Sequence, residues 1–77
     1  MLHKSIIRSL RWEYAEYSQS VERAKKELAK LIEQGPPKGI KPKYWEEAIT
    51  DCECEIENNT RYMKQCEDLA AKRGFQL

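Results

Sequence analysis

The chain has 77 residues, 35% of them charged, and a formal net charge of +1. That mixed-sign balance argues against a protein held to nucleic acid by a large basic excess, and no apolar run approaches the ~20 residues of a membrane span. A single core at this length supplies only about 3–5 kcal/mol, so a staple, a metal or a partner subunit is expected to complete it. The first residues lack the apolar stretch of a signal peptide. Three cysteines, an odd number without framework spacing, read as reduced thiols in a cytoplasmic protein.

The first element is a long helix over about residues 3–34. His3, Ile7, Leu10, Tyr14, Tyr17, Val21, Ala24, Leu28 and Leu31 are spaced alternately four and three apart, which keeps them on one stripe of a helix. Neither Gly nor Pro interrupts the run, and good helix formers are common in it.

The next segment, residues 35–41, is a loop. Gly35 can take the left-handed conformation that ends a helix, and Pro36 and Pro37 stop it from continuing. Pro42 suits the first position of a second helix, with Ile40 and Trp45 placed to form a hydrophobic staple over its entry.

That second helix is expected over about residues 42–73. Trp45, Ile49, Cys52, Ile56, Asn59, Met63, Cys66 and Ala70 repeat the same spacing, and Gly74 follows the basic pair Lys72 and Arg73 as a stop. A short connection makes the helices antiparallel neighbours. Facing residues then pair at one register: from Ile7 with Ala70 to Leu31 with Trp45, the two residue numbers always add to 76 or 77.

The chain therefore reads as a single all-α domain, an antiparallel two-helix hairpin of coiled-coil type, expected to dimerise into a four-helix bundle. The same register sets Arg8 by Asp68, Glu13 by Lys64, Glu16 by Arg61, Arg23 by Glu53, Lys25 by Asp51 and Lys30 by Glu46 or Glu47. These pairs of opposite sign serve as a second check. Tyr17 facing Asn59 reads as a polar layer that fixes register, and Ala24 facing Cys52 as a narrow one.

Catalytic chemistry finds little support. Cys52 and Cys54 point about 200° apart on a helix and cannot share one ion. Cys52 and Cys66 lie about 21 Å apart along the axis, too far for a disulfide. Cys54 alone is expected to be a reactive thiol. His3 has no orienting partner, and no phosphate loop or nucleophile motif appears. The acids from Glu46 to Glu57 read as a solvated face with basic neighbours. No catalytic residue, metal or cofactor is expected.

What remains is apolar surface the seam does not use. Ile6, Tyr62 and Leu69 beside the seam, Trp12 on the face opposite it, and Phe75, with Leu2 and Leu77, gather at the end carrying both termini, with Arg8 and Arg11 beside them. Aromatic residues and arginine are enriched at interface hot spots. Ile6, Arg8, Arg11, Trp12, Tyr62, Leu69 and Phe75 are the expected partner-binding residues of a non-enzymatic interaction module. Such a module would be a small adaptor, inhibitor or assembly factor, of the kind found among small bacterial or bacteriophage accessory proteins. A protein partner is expected, with a homodimer. The alternatives are a nucleic-acid-binding module using the row Lys4, Arg8 and Arg11, and a structural subunit of a larger assembly.

Overall fold

The computed structural model describes residues 4–77, which form two helices, α1 (Lys4–Gln34) and α2 (Pro42–Lys72), packed antiparallel along a rod of 59 × 15 × 14 Å. Both helix ends next to the loop fall where the sequence puts them. His3 and Leu2 lie outside the described residues. Arg73, expected as the last residue of α2, is its cap.

The two C-terminal stops are built differently, and proline is the reason. At the end of α2, Gly74 takes φ +79°; its N–H donates to the Ala71 carbonyl at 3.1 Å and the Phe75 N–H to the Ala70 carbonyl at 3.0 Å. This double closure is a Schellman motif, and it folds Phe75 back against the helix end. At the end of α1, Gly35 takes φ +70° and donates to the Leu31 carbonyl at 3.0 Å. The following residue is Pro36, which has no N–H to make the second bond. The indole of Trp45 takes part in the closure instead, its Nε1 donating to the same Leu31 oxygen at 2.7 Å.

The loop is tightened by a bond from the Ile40 N–H to the Pro37 carbonyl at 3.4 Å. Lys41 is extended, with ψ 134°, and Pro42 opens α2 with no side-chain cap. Ile40 and Trp45 therefore occupy the staple positions, although Ile40 remains about half exposed.

All sixteen seam positions from Ile7 to Leu31 and from Trp45 to Ala70 are buried or half-buried, as their period requires. Leu10, Val21, Ala24, Cys52, Cys66 and Ala70 are the buried ones. Four of these six are small, so the buried part of the seam holds little side-chain bulk. Ala24 and Cys52, the layer expected to be narrow, are both among them.

Two expectations about the seam need correction. Tyr17 does not form a polar layer with Asn59. Its ring lies against Tyr62, centroids 5.2 Å apart and planes tilted by 39°, and Asn59 Nδ2 donates to the Glu55 carbonyl of its own helix at 2.8 Å. Side chains lean toward the N-terminus of their helix, which carries Tyr17 one turn past Asn59.

The expected ion pairs between helices also fail to form. The salt bridge among the described residues joins Arg61 to Glu57 at 3.5 Å, along one helix. The cause is azimuth. Paired residue numbers fix height along the rod, but the partners named above, such as Glu13 and Lys64, stand on different sides of it. Exposed ion pairs contribute only ~0–1 kcal/mol, too little to pull the helices round.

Candidate interaction surface

Writing the seam as positions a and d of a heptad places the flanking residues on two distinct sides of the hairpin. One side, the e side, carries Lys4, Arg11, Ser18, Lys25 and Ile32 from α1 with Glu46, Glu53, Thr60 and Glu67 from α2. The other, the g side, carries Ile6, Glu13, Ser20 and Glu27 with Ala48, Glu55, Tyr62 and Leu69.

The observed hollows follow this division. Tyr14, Glu67, Ala70, Ala71, Phe75, Gln76 and Leu77 line one on the e side, and Tyr14 Oη donates to Glu67 Oε1 across it at 2.9 Å. That bond, aided by desolvation, holds the Tyr14 phenol above its ordinary pKa. Leu10, Glu13, Tyr17, Tyr62, Gln65, Cys66 and Leu69 line another on the g side. Lys4, Ile7, Arg8 and Arg11 share a third, shallow and basic, along α1.

The seven expected partner-binding residues are therefore not one patch. Ile6, Tyr62 and Leu69 belong to the g side, each more than a third exposed. Arg11 lies on the e side, where its guanidinium donates to the Gln76 carbonyl at 3.3 Å. Phe75 is half-buried there against the end of α2, as the Schellman closure dictates. Trp12 stands on the outer face of α1, 66% exposed, with Arg8 one turn before it. Proximity to one end of the rod brings them to similar heights but spreads them over three faces.

The thiols divide as their heptad positions require. Cys52 and Cys66 are buried and Cys54 is exposed. Burial raises both seam thiols above the ordinary value, and neighbouring carboxylates raise them further: Glu27, Glu55 and Asp51 for Cys52, Glu13 and Glu67 for Cys66. Tyr17 is raised in the same way, by desolvation and then by Glu13. Among the described residues, no three His, Cys, Asp or Glu side chains come together as a metal site. No helix of the described residues is long and apolar enough to cross a membrane.

Sequence pattern and structure together define an all-α helical hairpin with unequal sides. No protein-family model matches the chain, and no curated protein or solved structure matches it either.

Proposed function

We propose that this chain is a non-enzymatic protein–protein interaction module: a small adaptor, inhibitor or assembly factor whose hairpin is completed by another protein. The observation that supports this reading is the thinness of its core. Among the described residues no large side chain is fully buried, and Ile6, Tyr62, Leu69 and Trp12 remain exposed beside or behind the seam. A second helical surface would cover this apolar area and supply the burial a hairpin of this size lacks. Pairing of two copies into a four-helix bundle is one form such cover would take, and sedimentation of the purified chain measures it.

The test is capture by the full chain, followed by mass spectrometry, for the wild type, for Tyr62→Ala with Leu69→Ala, and for Trp12→Ala. The reading expects a stoichiometric protein partner with the wild type and its loss with at least one variant while circular dichroism stays helical. Recovery of no protein, or equal recovery with every variant, overturns it.

A second reading rests on the shared basic hollow of Lys4, Ile7, Arg8 and Arg11, whose spacing along α1 would track phosphates. An electrophoretic shift at low salt tests it. No retardation at roughly tens of micromolar protein, where non-specific binders already associate, removes it.

A further inference from the structure

The two sides of the hairpin differ in the sign of the charges that their flanking stripes carry. On the e side, α1 carries Lys4, Arg11 and Lys25 while α2 carries Glu46, Glu53 and Glu67, so the facing stripes are of opposite sign. On the g side the charged members are Glu13, Glu27 and Glu55, and neither stripe holds a cation. Asp51 joins them beside Cys52. Arg23 reaches this side, its guanidinium donating to Ser20 Oγ at 3.3 Å, while Lys4, Arg8 and Arg11 share a hollow with Ile7, and Arg61 turns along its own helix to Glu57. Lys72 and Arg73 stand beyond Leu69, at the tip of the rod.

The g side is also where the seam is left open. Tyr17 and Tyr62 stack at its surface, and Ile6 and Leu69 are each more than a third exposed. Its chemistry is therefore graded, apolar toward the tip and acidic toward the loop, with Glu13 between.

We propose that the g side is a docking groove for a third helix: an amphipathic segment of a partner protein, its apolar stripe flanked by lysine or arginine, completing a three-helix bundle. This rests on the interaction-module reading and names the partner's chemistry. Flanking charges set partner choice in helical bundles, and on this side Glu13, Glu27, Glu55 and Asp51 outnumber the guanidinium of Arg23. The distance from Ile6 to Glu27 along α1 calls for a segment of about 20 residues. Its apolar anchors, at helical spacing, belong opposite Ile6, Tyr62 and Leu69, and its cations opposite Glu13, Glu27 and Glu55. A second copy of this chain fits the groove poorly, because it brings carboxylates against carboxylates.

The experiment uses the full chain and two synthetic helical peptides of that length, with leucine at the seam positions and either lysine or glutamate at the flanking ones. Fluorescence anisotropy should show the lysine peptide binding with an affinity that falls as salt rises, and the glutamate peptide failing to bind. Leu69→Asp should weaken the lysine peptide by about tenfold or more, the loss expected for one apolar anchor. The double change Glu13→Lys and Glu55→Lys, at exposed positions that leave the fold intact, should reverse the preference between the peptides. Thr60→Lys, on the opposite side, should change neither.

Equal binding of both peptides, or lysine-peptide binding that ignores Leu69→Asp and the charge reversal, overturns the proposal. A wild-type dimer that Leu69→Asp converts to monomer also overturns it, while leaving the interaction-module reading intact. A chain that binds neither peptide and does not self-associate defeats both.

Discussion

Trp45 Nε1 and the Leu31 carbonyl oxygen, 2.7 Å apart, tie the first turn of α2 to the last turn of α1. The same oxygen accepts the Gly35 N–H at 3.0 Å, so both of its lone pairs are used. Trp45→Phe keeps most of the apolar ring and deletes only the donor. It should lower stability by about 1 kcal/mol. Trp45→Ala also removes the packing and should cost about 3 kcal/mol. Urea unfolding followed by circular dichroism separates the two, and a Phe variant as stable as the wild type would deny the bond its part.

Gly35 holds φ +70° with open space where a Cβ would stand. The cost of Gly35→Ala is therefore one of backbone conformation alone, about 1–2 kcal/mol. Gly35→Asn should recover part of that loss, since asparagine tolerates the left-handed region. Equal melting temperatures for the alanine and asparagine variants would point to a steric cause.

Ala24 and Cys52 make a layer of two small residues in the seam, both buried. Ala24→Leu should force the helices apart there and destabilise by about 1–3 kcal/mol, despite the better apolar content of leucine. A variant more stable than the wild type in urea would show that the layer is not closely packed.

Stability should decline on the alkaline side. Cys52, Cys66, Tyr14 and Tyr17 all have folded pKa values raised above their ordinary ones, 9.0 for the thiols and 10.0 for the phenols. The unfolded chain therefore releases these protons first. Their contribution is fully present below the unfolded values and is lost as pH climbs through the folded ones. The urea midpoint should fall from about pH 9 upward. Cys52→Ala with Cys66→Ala should delay that fall to the tyrosine range, and an unchanged profile would refute the assignment to the thiols.

Thiol labelling should resolve one fast and two slow groups. Cys54 is exposed and should react at once with a chromogenic disulfide, while Cys52 and Cys66 wait for opening of the hairpin. Labelling of the slow pair should accelerate with denaturant. Three equal rates would place all three thiols at the surface.

Periodicity carried the fold almost completely. Alternating steps of three and four, a glycine and two prolines were enough to mark the seam and the turn, because each is a local rule. The errors arose where a side chain's direction mattered. Tyr17 reached Tyr62 because of its lean toward the helix N-terminus, and Glu13 missed Lys64 because matching height says nothing about side. Heptad letters, assigned to the flanking residues as well as to the seam, would have found both. They would also have separated Arg11 from Ile6, as the reading of Trp12 opposite the seam already separates that residue from both. The Trp45 bond was less accessible, since only the missing N–H of Pro36 hints that the Leu31 oxygen has room for another donor.

That bond also bears on the order in which the rod should close. It spans fourteen residues, whereas the contact of Arg11 with Gln76 at the far end spans 65. Loop-closure entropy makes the distant contact costlier by about 1.4 kcal/mol if formed first. The hairpin should accordingly zip from the turn outward and melt in the reverse direction, an order that hydrogen exchange would check. Ile6, Tyr62 and Leu69 lie in the half that opens soonest, so a helix seated there would act as a clasp on the unzipping end.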